Sequence, residues 1–102
     1  MRRRARIDDN QTEIASAVEA MGASVQFLAS VGRGCPDLLV GYCGHNLLWE
    51  VKNPLQSPAH QKLTKDQATW HHHWRGSVSV VHSAPEAVRI LLDIQARAAL
   101  GF

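Results

Sequence analysis

The part of this chain that most constrains its fold consists of two short apolar runs. A glycine-containing segment joins the two runs, and charged residues lie at their outer ends. Residues 34–52 read G-C-P-D-L-L-V-G-Y-C-G-H-N-L-L-W-E-V-K. Such runs are typical of paired strands. Because alternate strand residues share a face, Glu50 and Lys52 project together, and a hairpin around residues 41–46 brings Asp37 towards them. Two carboxylates and an ammonium are costly within an apolar sheet unless they bind something, so the segment predicts a functional site.

The composition is that of one ordinary globular domain. The chain has 102 residues, of which 45% are apolar and 20% are charged, and we expect a basic arm over residues 1–9 followed by a single domain over 10–102. No apolar run approaches the roughly 20 residues that span a bilayer, so we expect no membrane association and a cytoplasmic location. Cys35 and Cys43 are too few for a disulfide framework and lack the further ligands of a zinc module.

Basic residues are concentrated at the start of the chain. The net charge is only +2, yet four arginines fall within the first six residues, among them Arg2, Arg3 and Arg4. Such an arm attracts phosphate without reading sequence, and it is equally compatible with a solvated terminus that tolerates arginine. The arm therefore supports a nucleic-acid hypothesis without establishing one.

Periodicity and turn signals predict the element order α-β-β-β-α-β-α. One helix is expected over residues 10–21, a second over 64–74, and a third from Ser83 onward. Four segments have the pattern of strands: 24–29, 37–40, 46–52 and 77–82. Residues 53–63 contain two prolines and are expected to form a loop. Because a helix joins the third and fourth strands, we expect a mixed sheet that is covered by helices.

The order of elements and a set of short motifs resemble one family of nucleases. Pro36 and Asp37, followed by Glu50 and Lys52, match the P-D…(D/E)-x-K pattern of the restriction-endonuclease-like superfamily. The motifs N-Q-T-E-I, G-C-P-D-L-L-V-G, L-W-E-V-K, L-T-K-D-Q and W-R-G-S-V-S-V-V resemble, in order, those of a stand-alone, phage-type VRR-NUC domain, which is similar to Holliday junction resolvases. The resemblance implies an α/β fold with a restriction-endonuclease-like αβββαβ core, a central mixed sheet covered by helices and an extra C-terminal helix.

The resemblance also implies a metal-dependent DNA endonuclease that uses Mg²⁺ or Mn²⁺ and no small-molecule cofactor. Asp37 and Glu50 correspond to side-chain metal ligands, and the carbonyl of Val51 corresponds to a third ligand. Lys52 corresponds to the residue that orients the attacking water or neutralises developing charge. This pattern suits phosphodiester hydrolysis, because a hard cation held by oxygen ligands stabilises the charge that builds on the phosphate and on the leaving oxygen.

Two further candidate site residues have structural alternatives. Glu13 matches the family's first-helix carboxylate, but it also completes a capping box with Asn10, and alignment by the helix stripe can place the equivalent position at Gln11 instead. Gln67 matches a family position near the active site, and it is also the third residue of a capping box that begins at Thr64. The sequence leaves these alternatives open.

Other polar and aromatic residues have less specific assignments. Candidate phosphate contacts are Arg33, His60, Lys62, Lys65 and Arg75, and an ordinary surface charge is the alternative for most of them. The consecutive His71, His72 and His73 point about 100° apart on a helix, so we expect a solvated helix end rather than a metal site. Trp70 and Trp74 are four residues apart and are expected to fill the core or a subunit contact, with stacking on bases as the less favoured alternative.

The expected substrate is branched DNA such as a four-way junction. A single small domain has little surface for reading sequence, and members of the resembled family that stand alone are similar to resolvases that work as homodimers. A homodimer would present two active sites to two strands. The competing hypotheses are a non-catalytic DNA-binding module with the same fold and a nuclease without junction preference.

Overall fold

The computed structural model describes residues 9–101. The predicted helices and strands occur in the expected order along the chain. Its elements are α1 (Asp9–Ala20), β1 (Ser24–Phe27), a 3-10 turn (Ala29–Val31), β2 (Leu38–Tyr42), β3 (His45–Val51), α2 (Pro58–Gln61), α3 (Lys65–His73), β4 (Val78–Val81) and α4 (Ala84–Ala99). The 3-10 turn and α2 are too short to show a periodicity, so the sequence does not predict them. The predicted phosphate contacts Arg2, Arg3 and Arg4 lie outside the described residues.

The four strands of residues 9–101 form one mixed sheet in the order β1-β2-β3-β4. β1 pairs antiparallel with β2, and β2 pairs antiparallel with β3, whereas β3 and β4 are parallel. A parallel pair needs a crossover connection, and here that connection contains α2 and α3. The prediction of a mixed sheet covered by helices is confirmed.

The turn between β2 and β3 is a tight hairpin. Tyr42 pairs with His45, and the two residues between them, Cys43 and Gly44, have φ values of 48° and 80°. Two consecutive residues with positive φ form the turn that suits the right-handed twist of a two-stranded hairpin. The turn sets the register of both strands, and with it the face that each of their side chains occupies.

The hydrophobic core lies between one face of the sheet and the helices α1 and α4. Ile14 and Leu91 come from these helices, and Trp49 is the largest side chain that is fully buried among the described residues. Trp70 and Trp74, for which the core was one expected location, lie outside it. No helix within residues 9–101 combines the length and the apolarity that are needed to cross a lipid bilayer.

The start of α1 differs from the prediction. The helix begins at Asp9, so Asn10 lies inside its first turn rather than at the capping position. The side-chain amide of Asn10 donates a hydrogen bond to the carbonyl oxygen of His82, at 3.0 Å. The predicted capping box of Asn10 and Glu13 is therefore wrong, because a contact with the residue that follows β4 uses the Asn10 side chain. This contact positions the start of α1 near the end of the sheet.

Candidate functional site

A polar cavity of about 210 Å³ lies where β3 ends. Its lining consists of Gln11, Asp37, Glu50, Val51, Lys52, Asn53, Gln56 and His60. The cavity thus brings together the Asp37, Glu50 and Lys52 side chains that the strand alternation predicts to be close. It also contains residues from α1 and from the loop that follows β3.

Asp37 is held by the two strands on either side of it. Its carbonyl oxygen accepts a hydrogen bond from the backbone N–H of Leu28, at 2.8 Å. Its Oδ2 accepts a hydrogen bond from the backbone N–H of Val51, at 2.7 Å. A carboxylate that bonds a backbone N–H of the neighbouring strand keeps a fixed position, so Asp37 is oriented towards the end of β3 before any ligand binds.

Glu50 has a buried carboxyl group whose two oxygen atoms have different surroundings. The residue is only 2% exposed. Its Oε2 accepts a hydrogen bond from Nε2 of Gln67 at 3.1 Å and lies 3.9 Å from Nζ of Lys52. Its Oε1 is buried, and no hydrogen-bond donor of the described residues reaches it. A buried acceptor without a donor is costly, so this oxygen is poised for a positively charged or hydrogen-bonding partner.

The electrostatics of Glu50 follow from this burial. Burial raises the pKa of Glu50 from 4.5 to about 9, and the adjacent Asp37 carboxyl adds to the increase by hydrogen bonding to the protonated form and by repelling the charged form. The Lys52 ammonium lowers the pKa, but its effect is smaller. Because Glu50 keeps its proton at neutral pH in the absence of a cation, the two adjacent carboxyl groups together carry fewer than two negative charges.

Gln67 connects the start of α3 to the charged residues. Its side-chain amide and the hydroxyl of Thr64 form the predicted capping box: Oε1 of Gln67 accepts from the Thr64 backbone N–H at 2.9 Å, and Oγ1 of Thr64 accepts from the Gln67 backbone N–H at 3.2 Å. The same Oε1 accepts from Nζ of Lys52 at 2.8 Å, and Nε2 donates to Glu50. The cap and the contact with the site are therefore simultaneous, and both of the roles weighed for Gln67 have a geometric basis.

The first helix contributes Gln11 to the cavity. Gln11 is 4% exposed and lines the cavity, whereas Glu13 is exposed and is not part of its lining. Glu13 therefore does not approach Asp37 as expected. Gln11, the alternative given by alignment on the helix stripe, is the residue of α1 that lies next to the carboxylates. The two residues are two positions apart on α1 and point about 200° from each other around the helix, so they cannot both face the same cavity.

The predicted phosphate contacts are dispersed. His60 lines the cavity, and its Nδ1 lies 2.7 Å from Oγ of Ser57. Arg33 lines a different cavity, and Lys62 and Lys65 are exposed. Asn53 and Gln56 also line the first cavity, although no sequence motif indicates them. Their position directly after Lys52 is the signal that could have identified them.

His71 is not the solvated residue that was expected. It is half-buried, and its Nε2 is buried without a hydrogen-bond partner in the part of the chain that the structure describes. Burial lowers the pKa of His71, and the nearby Lys52 ammonium lowers it further. His71 lies four residues after Gln67 and thus on the same face of α3, which is the spacing that could have placed it near Lys52.

The donor set can be tested for its fit to a divalent cation. No group of three or more histidine, cysteine or carboxylate side chains within residues 9–101 is arranged to hold a metal ion. Two carboxylates do lie together, and one of them presents the buried, donor-free Oε1 of Glu50. Magnesium and manganese prefer oxygen ligands, and magnesium in particular is often held by one or two carboxylates together with water and phosphate. The residues therefore fit a hard divalent cation.

The fold and the site are those of a restriction-endonuclease-like α/β domain. They consist of a mixed sheet, the helices that cover it, and the group of Asp37, Glu50 and Lys52. A solved structure described as a VRR_NUC domain is similar to this one, with a TM-score of 0.58 and 30% sequence identity over 78% of this chain and 87% of that chain. The chain therefore belongs to the VRR-NUC family of nuclease-type domains, as the motifs predict. No family model and no curated protein matches the chain.

Proposed function

We propose that this protein is an endonuclease that hydrolyses phosphodiester bonds of DNA with the help of Mg²⁺ or Mn²⁺. The observation that carries the proposal is the pairing of Asp37 with Glu50, whose Oε1 is buried without a donor. Placing a second carboxyl group beside the buried Glu50 is costly for folding. A bound cation is the partner that would make this arrangement favourable.

Asp37 and Glu50 would hold the cation, with the carbonyl of Val51 as a third ligand. When bound, such an ion stabilises negative charge on the phosphate and lowers the pKa of a coordinated water. The protein prepares this site through the Val51 N–H, which fixes Asp37, and through Gln67, which fixes Glu50. The carboxylates are thus positioned by backbone and side-chain donors that do not depend on the ion.

Lys52 is the residue proposed to act on the substrate. Its ammonium is held at the cavity by Gln67, and the residue is 9% exposed. A positive charge in a largely buried position attracts a phosphate more strongly than one in open water, because solvent screens it less. Lys52 can therefore neutralise charge on the phosphate or orient the attacking water. His60, at the cavity lining, is proposed as a phosphate contact.

The proposed substrate is branched DNA, such as a four-way junction, and the proposed assembly is a homodimer. One copy of this chain provides one cavity with the Asp37 and Glu50 pair, so cutting two strands of a junction in a coordinated way needs two copies. The arginine arm, with Arg2, Arg3 and Arg4, and the exposed Lys62 and Lys65 are proposed to contact phosphates.

A cleavage assay tests the activity and the substrate separately. Linear, nicked and four-way-junction DNA are incubated with the protein and with Mg²⁺, Mn²⁺ or a chelator. We expect cleavage with either metal, and we expect Asp37→Asn and Lys52→Ala to reduce it by at least about 100-fold, in line with the loss of a charge-stabilising group at an active site. Asp93→Asn, which removes an exposed carboxylate on α4, is the matched control and should leave cleavage unchanged.

Each outcome has a defined meaning. DNA binding without cleavage under both metals would contradict the nuclease proposal and favour a non-catalytic DNA-binding module. Equal cleavage of all three substrates would contradict the junction preference but leave the nuclease proposal intact. A reduction by Asp93→Asn as large as that by Asp37→Asn would show that the loss is not specific to the cavity.

A further inference from the structure

A second cavity, of about 490 Å³, lies on a different face of α3. It is lined by Arg33, Asp66, Thr69, Trp70, His73 and Trp74. Positions 66, 69, 70, 73 and 74 form one stripe along the helix, and this stripe excludes Gln67 and His71, which face Lys52. The volume lies within the range of about 300 to 1,000 Å³ that is typical of small-molecule sites. The helix therefore separates two cavities, one charged and one aromatic.

The aromatic wall of this cavity is an ordered and accessible surface. The rings of Trp70 and Trp74 are stacked, with centroids 4.5 Å apart and an interplanar angle of 17°. Trp74 is 45% exposed. A Cβ atom at Gly76 would come within 2.8 Å of the Trp74 Nε1, so the chain that leaves α3 lies directly against the ring. The indole is thus held in place while part of its surface stays open.

Arg33 reaches the same cavity from an unusual backbone conformation. Its φ is 57°, and the flanking Gly32 and Gly34 have φ values of 76° and 82°. Non-glycine residues with positive φ are uncommon, and they persist where the surrounding structure or a function maintains them. A Cβ atom at Gly34 would collide with the carbonyl group of Asp66, so this loop packs directly on the first turn of α3. The close packing places Arg33 on the lining of the cavity that Trp70 and Trp74 also line.

We propose that this cavity binds an unpaired nucleotide of the DNA substrate, with its base against the Trp74 indole and its phosphate against Arg33. Aromatic side chains bind bases of any identity by stacking, and an arginine adds both charge attraction to phosphate and a flat surface for stacking. Asp66 and Thr69 provide acceptors for the N–H groups at the base edge.

The inference rests on the proposed function, because it defines the kind of DNA that reaches the cavity of Asp37 and Glu50. Both faces of a base within a duplex are covered by its neighbours, so only an unstacked nucleotide can lie flat on an indole. Trp74 is seven residues after Gln67, a distance of about 10 Å along the helix axis, which corresponds to about three base steps of stacked DNA. The cavity therefore favours DNA in which a nucleotide can leave the stack within a few base steps of the scissile bond, as at a branch point.

A binding experiment without cleavage tests this inference. The protein carries Asp37→Asn and is kept in chelator, so that the DNA stays intact. Fluorescently labelled oligothymidylate and a blunt duplex of equal length are titrated, and a second oligonucleotide carries 2-aminopurine, whose emission falls when the base stacks on a ring. We expect Trp74→Leu to weaken single-strand binding at least about fivefold, to leave duplex binding within about twofold, and to abolish the change in 2-aminopurine emission.

Two further variants make the result specific. Trp74→Phe keeps an aromatic face and should retain most of the single-strand affinity, whereas Leu92→Ala removes an exposed apolar side chain from α4 and should change nothing. Circular dichroism confirms that each variant is folded.

Unchanged single-strand binding by Trp74→Leu would overturn the inference, as would an equal loss for both DNAs. A change in sedimentation mass with Trp74→Leu and no change in DNA affinity would also overturn it, because the aromatic wall would then be a contact between two copies of the chain. Since no step of the assay requires cleavage, these outcomes are independent of whether the nuclease proposal holds.

Discussion

The side-chain oxygen of Gln67 accepts a hydrogen bond from the ammonium of Lys52 at 2.8 Å, and Gln67 is also the third residue of the helix that begins after Thr64. The amide orientation is determined by its neighbours, because Oε1 has two donors and Nε2 faces the carboxylate of Glu50. The start of α3 and the candidate metal site are therefore one hydrogen-bonded unit. A change of Gln67 should therefore affect both stability and activity, whereas a change of Thr64 should affect stability alone.

Gln67→Ala and Thr64→Ala separate the cap from the site. Thr64→Ala removes one side-chain cap and should lower the free energy of unfolding by about 1 kcal/mol, while leaving the contacts of Gln67 with Glu50 and Lys52. Gln67→Ala removes the cap and also leaves buried polar groups without a partner, so we expect a loss of about 2 kcal/mol and a cleavage rate at least about tenfold lower. Urea unfolding and cleavage under saturating metal measure the two effects. Equal cleavage by both variants would contradict a role of Gln67 at the site.

The stability of the metal-free protein should fall as the pH rises between about 4.5 and about 9. Folded Glu50 keeps its proton up to a pKa of about 9, whereas the unfolded chain releases it near 4.5. In this window the folded state thus binds more protons than the unfolded chain. The stability that Glu50 contributes is complete below the lower pKa and is lost as the pH approaches the upper pKa. The free energy of unfolding should fall by up to about 1.4 kcal/mol per pH unit from this group.

Glu50→Gln isolates this contribution. Unfolding in urea with chelator present, at several pH values, should show a shallower pH dependence for Glu50→Gln than for the parent protein. Glu19→Gln, which replaces an exposed carboxylate on α1, should keep the parent's dependence. Parallel curves for the parent and Glu50→Gln would show that Glu50 is ionised in the folded protein across this range.

Gly34→Ala should destabilise the protein more than Gly44→Ala does. Both glycines have positive φ, at 82° and 80°, so both substitutions introduce backbone strain. A Cβ at Gly34 would also meet the backbone of Asp66, whereas a Cβ at Gly44 meets nothing within 4 Å. We expect a loss of about 1 kcal/mol for Gly44→Ala and about 2 to 4 kcal/mol for Gly34→Ala. Thermal or urea unfolding gives both values, and equal losses would show that the loop does not pack on α3 in solution.

Local patterns predict the sheet and the carboxylate pair well. The alternation of β3 assigns Glu50 and Lys52 to one face, because a strand has only two faces and one of them is filled by Trp49. The Pro36 and Asp37 motif and the turn at Cys43 and Gly44 then determine which strand end approaches Glu50. These features depend on neighbours in sequence or on one hairpin, so a single sequence contains enough information to find them.

Helix faces are harder to predict, because the element that covers each face lies far away in sequence. Asn10 has the residue type of a cap, but its side-chain amide donates a hydrogen bond to the carbonyl oxygen of His82, 72 positions further along the chain. Trp70 has the spacing of a core residue, yet α1 and α4 already cover that face of the sheet. His71 is half-buried because Gln67, one turn earlier, turns that side of α3 towards Lys52. Such contacts are decided by packing and not by local pattern.

Gln11, and not Glu13, should be the residue of α1 that acts at the site. Gln11 is 4% exposed and lines the cavity of Asp37 and Glu50, whereas Glu13 is exposed. We therefore expect Gln11→Ala to reduce cleavage at least about tenfold and Glu13→Ala to leave it within about twofold. The metal concentration that gives half of the maximal rate should rise in Gln11→Ala, because the amide oxygen at position 11 can accept from a metal-bound water or contact the ion. Unfolding measurements on both variants correct for any loss of folded protein. The opposite result, with Glu13→Ala inactive and Gln11→Ala active, would assign the first-helix role to Glu13 and require α1 to rotate when metal or DNA binds.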